Sequence, residues 1–193
     1  MQKLAAMKLF GMVDALKTQE LDPTARELSF LERLAMIVDQ QWSWRENKAL
    51  ARRLQLAKLR LNACAEDIDY RAARGLDKSV IRALTQESVW VRNHENVFVL
   101  GPTGVGKSYI ACALAQKACR DGYSALYTRA AALFRELALA RADGSLRHLL
   151  ARMGRIDVLV VDDWAMAPSS ESERRDFWEI CEDRYQTRST ILT

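Results

Sequence analysis

The chain has 193 residues, of which 49% are apolar and 28% are charged. This balance excludes the disordered and fibrous classes and is typical of a soluble globular protein. No apolar run approaches the roughly 20 residues that cross a bilayer, so we expect a cytoplasmic protein without a membrane partner. Its cysteines form no CxxC pair and neither histidine has zinc-site spacing, which predicts reduced thiols at Cys64, Cys112, Cys119 and Cys181.

Residues 1–92 are predicted to form an all-helical domain. Their apolar residues recur at spacings of three and four, and the strong breakers are only Gly11, Pro23 and Gly75. Ser29 followed by Glu32 fits a capping box at the start of a helix. The whole net charge of +4 lies here, with 16 Lys and Arg against 12 Asp and Glu, which mildly favours a polyanionic partner.

A basic helix is predicted at residues 45–61. At 100° per residue its apolar side chains form one stripe, and the opposite side carries Arg45, Lys48, Arg52, Arg53 and Arg60. Such a face can contact DNA phosphates without sequence preference, although it can equally be the solvated side of a core helix. Trp42 and Trp44 precede it and can stack on bases, but packing is the favoured interpretation.

Residues 93–193 are predicted to form an α/β domain. Short apolar runs alternate with helical stretches, the pattern of parallel strands joined by crossover helices. The predicted strands are residues 97–100, 124–128, 157–161 and 190–193. The predicted helices are residues 107–120, 130–141, 145–153 and 171–186.

A phosphate-binding loop follows the first predicted strand. The segment VFVLGPTGVGKS matches GxxxxGK[ST] between a strand and a helix, through Gly101, Pro102, Thr103, Gly104, Val105, Gly106, Lys107 and Ser108. Glycines let phosphate oxygens approach backbone N–H groups, and the helix that follows directs its free donors to the same place. Lys107 is predicted to reach the β and γ phosphates of ATP, and the Ser108 hydroxyl to ligate Mg²⁺.

Two aspartates end the third predicted strand, which is apolar throughout. In doubly wound sheets ligands bind beyond the carboxyl ends of the strands, so Asp162 and Asp163 are predicted to lie near the loop. Asp162 is expected to hold Mg²⁺, and Asp163 to orient or deprotonate the attacking water. One complete strand fits between Lys107 and Asp162, as in the additional-strand class of P-loop ATPases.

Several stretches resemble the IstB family of insertion-sequence helper ATPases, which are related to DnaC-type helicase loaders. They include FVLGPTGVGKSYIACALAQKACRDGYSALYTRAAAL, IDVLVVDDWAM, RYQTRSTILT and the leader LSFLERLAMIVDQQWSWRENKALARRLQLAKLRL. The resemblance implies an AAA+ ATPase fold and a homo-oligomer that assembles on DNA with ATP between its subunits. It also implies that the oligomer stimulates a partner transposase. Asp163 stands where most AAA+ proteins carry Glu, which implies slow hydrolysis.

The same resemblance implies elements beyond Thr193: a fifth strand, a helical lid, an arginine finger and a second sensor. We therefore expect part of a longer protein, with residues 97–100 left as an exposed apolar edge. Arg184 and Arg188 precede the last strand and are interpreted as surface charge, with contact to a neighbouring subunit's nucleotide as the alternative. Thr193 is placed near the sensor position of the fourth strand.

Two other functions stay open at this point. A DnaC-like helicase loader has the same fold and differs in its partner. A nucleotide-switched DNA-binding module would bind ATP without significant hydrolysis.

Overall fold

The computed structural model describes residues 1–71, 75–166 and 168–193. They form two compact units, Met1–Arg52 and Arg53–Thr193. The unit that contains the sheet therefore begins earlier than residue 93, where the sequence pattern changes from helical to alternating. Within the described ranges, no helix is both long and apolar enough to cross a membrane.

The first unit is helical. Helices α1 (Gln2–Ala6) and α2 (Phe10–Leu21) are followed by a 3-10 turn and by α3 (Phe30–Ala57), which continues into the second unit. Helix α2 packs tightly on α3 at Gly11, where an added Cβ would lie 2.7 Å from the Cα of Gln41. That close approach requires glycine, because no larger side chain fits between the two backbones.

The start of α3 confirms the predicted capping box. A carboxylate oxygen of Glu32 accepts hydrogen bonds from the backbone N–H of Ser29 (2.8 Å) and from its hydroxyl (2.7 Å). The Ser29 hydroxyl in turn accepts from the backbone N–H of Glu32 at 3.4 Å. This reciprocal arrangement satisfies two donors that a helix start otherwise leaves free.

The end of α3 differs from the prediction of a helix over residues 45–61. The helix ends at Ala57, and Lys58 adopts a left-handed conformation with φ of 50°. Arg60 and Leu61 therefore lie outside it, and the predicted continuous basic face was wrong from that point on. The sequence gives little warning of this ending, because Lys58 occupies a position that glycine or asparagine usually takes.

The second unit contains a four-stranded parallel sheet with strand order β1-β4-β3-β2. A 3-10 turn (Ala65–Asp67) and helices α4 (Lys78–Thr85) and α5 (Val89–Arg92) precede it. The strands are β1 (Val97–Phe98), β2 (Ala125–Arg129), β3 (Val158–Asp162) and β4 (Ser189–Leu192). The helices between them are α6 (Lys107–Arg120), α7 (Ala130–Asp143), α8 (Leu146–Arg155) and α9 (Glu171–Arg184). The predicted α/β class is confirmed.

Strand β3 is central and wholly buried, as its apolar sequence predicts. Leu159 and Val161 join a cluster with side chains of α7, α8 and α9, while the buried small residues of α6 lie outside that cluster. Successive side chains of a strand point to opposite faces, so helices cover both sides of the sheet. Among the described strands β1 pairs only with β4, and Phe98 is 64% exposed at this edge.

Arg184 corrects the expectation of a surface charge. Its side chain is buried and donates hydrogen bonds to the backbone carbonyls of Met153, Ile156 and Ser189. Burial lowers the pKa of Arg184 to about 10, so the guanidinium keeps its charge at neutral pH. It satisfies carbonyls at the end of α8 and the start of β4, which makes it a structural residue of the core.

Candidate nucleotide site

The loop between β1 and α6 has the backbone of a phosphate cradle. Gly104 and Gly106 have φ of 85° and 99°, a left-handed conformation that non-glycine residues rarely adopt. Helix α6 begins at Lys107, directly after Gly106. Its first N–H groups and the positive end of its dipole therefore face the concave side of residues 101–108.

Lys107 lies across this loop. Its Nζ donates hydrogen bonds to the carbonyl oxygens of Gly101 and Pro102, both at 2.9 Å. These neutral acceptors hold the ammonium over the cradle. Phosphoryl oxygens carry negative charge and form stronger, charge-assisted hydrogen bonds, so a triphosphate competes well for the same ammonium.

Asp162 ends β3 beside the start of α6, as predicted. The Ser108 hydroxyl donates to its Oδ1 at 3.0 Å, and the hydroxyls of Thr193 and Tyr127 also donate to the carboxylate. Burial by itself raises the pKa of Asp162, but the hydrogen bonds from Thr193, Tyr127 and Ser108 outweigh it and lower the pKa below its ordinary value. The carboxylate is therefore charged at neutral pH and fixed in orientation.

Asp163 leaves the strand in a different direction. It is exposed and adopts a left-handed conformation with φ of 57°. Its backbone N–H donates to the Thr193 hydroxyl at 3.3 Å. The Thr193 hydroxyl therefore contacts both the Asp162 carboxylate and the backbone of Asp163.

Two adjoining cavities surround the loop and share Val99, Leu100, Gly106, Lys107 and Tyr109. One, of about 310 Å³, is lined on its far side by the segment before α4 and by α6, through residues that include Ile68, Leu76 and Ile110. The other, of about 590 Å³, is lined by polar groups that include Arg60, Thr103, Ser108, Asp163 and Thr193. The smaller cavity offers apolar side chains beside Asp67 and Asp69, and the larger one offers the polar groups of the phosphate loop, an arrangement with room for a flat base and a charged tail.

The five cations predicted for DNA contact do not share one environment. In the first unit Arg45, Lys48 and Arg52 are exposed, and Lys48 Nζ lies 4.7 Å from the ring centroid of Trp44. In the second unit Arg53 Nε donates to the Cys119 carbonyl at 2.8 Å, and Arg60 lies near Asp162. Only the first three are free to contact an external polyanion along α3.

The two tryptophans before these cations differ in their surroundings. Trp44 packs against Phe10 with ring centroids 5.3 Å apart, which confirms the predicted packing role. Trp42 is 66% exposed, so packing was the wrong interpretation for it.

Sequence reasoning missed Tyr127 beside Asp162 and the residues that line the smaller cavity. Tyr127 lies on β2, next to β3 in the sheet, and is buried at 8% exposure. A tyrosine in the strand next to the one that ends in Asp162 was a signal that a hydroxyl could reach this carboxylate. Ile68, Leu76 and Tyr109 carry no comparable signal, because apolar side chains at irregular spacing read equally well as core.

The fold and the site together define a P-loop ATPase fold of the AAA+ class. DnaA from Aquifex aeolicus, solved with AMPPCP, has a TM-score of 0.60 at 18% identity, over 70% of this chain and 43% of that one. The DnaC helicase loader has a TM-score of 0.57 at 23% identity, over 71% of this chain and 79% of that one. These two likenesses concern the fold.

The family is established by sequence. The model of the IstB-like ATP binding protein family matches residues 2–193, and the chain belongs to this family. An insertion sequence ATP-binding protein of Sinorhizobium fredii is 45% identical over 193 residues, which cover 100% of this chain and 78% of that relative.

Proposed function

We propose that this chain binds ATP with Mg²⁺, hydrolyses it, and uses the nucleotide-bound form to assist a transposase on DNA. The observation that carries the proposal is the pairing of Ser108 with Asp162 at 3.0 Å, beside the glycine loop. A hydroxyl and a charged carboxylate at the start of a P-loop helix are the protein groups that hold a magnesium–triphosphate complex.

The two cavities support a nucleotide in one orientation. The base and ribose occupy the smaller cavity near Ile68, Leu76 and Tyr109, and the phosphates follow the glycine loop into the larger cavity. Lys107 then exchanges the carbonyls of Gly101 and Pro102 for phosphoryl oxygens. This exchange favours a ligand with at least two phosphates, because the ammonium lies over the loop rather than at its entrance.

The side chains present fit Mg²⁺. Ser108 and Asp162 would hold it through a hydroxyl and one carboxylate oxygen, leaving further positions for phosphate and water. The metal would supply charge neutralisation between the β and γ phosphates. Tyr127 and Thr193 keep Asp162 in one orientation through their hydrogen bonds, so the carboxylate is preorganised.

Hydrolysis is assigned to Asp163, which lines the larger cavity. It is exposed, and among the described residues no hydroxyl network fixes its side chain as one fixes Asp162, which suits a group that accepts a proton from water or orients it. Its short side chain reaches less far than glutamate, so the intrinsic rate is expected to be slow.

Replacement of Asp163 by Asn is expected to lower steady-state ATP hydrolysis about 100-fold and to change ATP affinity little, because an amide cannot accept the proton of the attacking water. Phosphate release and equilibrium binding measure the two quantities separately. Asp183→Asn, at an exposed position near the end of α9, is the matched control. Equal hydrolysis by both variants would contradict the assignment.

The DNA and partner roles rest on the family and on the cations of the first unit. Arg45, Lys48 and Arg52 lie within about 60° of one another around α3, and all three are exposed. The relatives are insertion-sequence proteins by name. We assign DNA phosphates to these cations and a transposase as the partner, with ATP held between subunits of a homo-oligomer.

Two measurements separate this function from its alternatives. Copurification of the chain with the transposase of its own insertion sequence, and not with a replicative helicase, is expected if it is a transposition helper. Hydrolysis that DNA stimulates is expected for an ATPase, whereas tight ATP binding without turnover would indicate a nucleotide switch.

A further inference from the structure

Arg60 occupies an unusual place for a residue predicted to face DNA. It lies three residues after the end of α3, half exposed, and its Nη1 is 3.8 Å from Oδ2 of Asp162. It also lines the larger cavity together with Lys107 and Ser108. The guanidinium is therefore a second cation within the phosphate site, contributed by the segment that precedes the sheet.

The segment that carries Arg60 lies beside the helix that follows the P-loop. The buried thiol of Cys112, one turn after Ser108 on α6, is near the backbone N–H groups of Arg60 and Leu61. Burial raises the pKa of Cys112, and those two N–H groups partly oppose the rise. The backbone of Arg60 therefore lies close to α6, and its side chain extends to Asp162.

The carboxylate of Asp162 is crowded with donors. Its Oδ1 accepts from Ser108 and Thr193, and its Oδ2 accepts from Tyr127 and faces Arg60. The pKa of Arg60 is raised above its ordinary value. The main cause is its contact with the Tyr127 phenol, and the negative charge of Asp162 contributes less. The same carboxylate that would hold a divalent metal therefore already neutralises a guanidinium.

We propose that Arg60 is a resident cation that competes with Mg²⁺ for Asp162 and so weakens the contribution of the metal to ATP binding. The inference rests on the proposed function, because it takes Ser108 and Asp162 as the metal-binding pair. A unit positive charge close to a divalent ion raises the electrostatic energy of that ion, and the cost is larger in a partly desolvated site than in water. Arg60 thereby makes the retention of ATP less dependent on Mg²⁺ than it would be without this cation.

The test compares the affinity of the non-hydrolysable analogue AMPPCP in excess EDTA with its affinity in excess Mg²⁺. The dissociation constant in EDTA divided by the dissociation constant in Mg²⁺ measures the coupling between metal and nucleotide. Arg60→Gln is expected to increase this ratio on the order of tenfold, the size expected for charges a few ångströms apart at a half-exposed position. A merely structural role would weaken both affinities alike and leave the ratio unchanged.

Two further variants sharpen the result. Lys58→Gln removes the same charge from an exposed position two residues away and is expected to leave the ratio unaltered. Arg60→Lys keeps the charge, so its ratio is expected to stay close to that of the unaltered chain. This variant is informative even if Arg60→Gln folds poorly.

An unchanged or smaller ratio in Arg60→Gln would overturn the competition. An equal increase in Lys58→Gln would also overturn it, because the effect would then be one of total charge. If the unaltered chain bound AMPPCP equally well in EDTA and in Mg²⁺, the proposed metal site itself would fail, and the two failures are therefore distinguishable.

Discussion

Lys107→Ala is expected to weaken ATP binding on the order of 1,000-fold. The ammonium is placed to form two charge-assisted hydrogen bonds with phosphoryl oxygens, each worth roughly 1.5–3 kcal/mol. The fold should persist, because within the described part of the chain Nζ of Lys107 donates hydrogen bonds only to the carbonyls of Gly101 and Pro102, at the exposed surface of the loop. Isothermal calorimetry with ATP and Mg²⁺ measures the loss, and thermal unfolding checks the fold.

Lys117→Ala is the matched control for this variant. Lys117 lies on the same helix, α6, and forms an ion pair with Asp121 rather than lying at the glycine loop. Its replacement should leave ATP affinity within about twofold, because Lys117 lines neither nucleotide cavity. Equal losses in both variants would mean that the effect comes from α6 as a whole, and Lys107 would then have no special contact with phosphate.

Combined replacement of Arg45, Lys48 and Arg52 by Gln is expected to weaken duplex DNA binding about 500-fold near 0.1 M salt. Each phosphate that a cation neutralises contributes roughly 0.9 to the slope of log affinity against log salt, so three lost contacts should reduce that slope by about 2.7. Fluorescence anisotropy over a salt series measures both quantities. ATP binding should not change, because none of the three lines either nucleotide cavity.

The control is Lys3, Lys8 and Lys17 replaced together by Gln. These three lysines are also exposed residues of the first unit, and their replacement removes the same total charge. A similar loss of DNA affinity in this control would show that net charge rather than the α3 face determines binding. Arg53 is left unaltered in both sets, because its hydrogen bond to the Cys119 carbonyl makes it part of the second unit's packing.

The phosphate loop and its acidic partner could be predicted because their chemistry is local. Gly104 and Gly106 permit the left-handed backbone that a phosphate cradle requires, and a wholly apolar strand that ends in Asp162 places that carboxylate at the same sheet edge. From residue 97 onward, the observed strands and helices fall within two residues of the predicted ones at each end. Parallel topology follows from the alternation of strands and helices.

The environment of the charged residues could not be predicted in the same way. Arg184 belongs to a polar stretch that reads as surface, yet four backbone carbonyls lie close enough to receive its hydrogen bonds in the core. Arg60 was assigned to a helix face because the pattern gave no sign that α3 ends at Ala57. Both cases depend on contacts between residues distant in sequence, and periodicity carries no information about those.

The measurement that tests the central claim most directly is calorimetric titration of the folded chain with AMPPCP, once in Mg²⁺ and once in EDTA. The pairing of Ser108 and Asp162 beside the glycine loop predicts saturable binding of one nucleotide per chain, at least tenfold tighter in Mg²⁺. The proposed site would be contradicted if a chain with an intact thermal transition released no heat on titration, or bound AMPPCP identically in the two buffers.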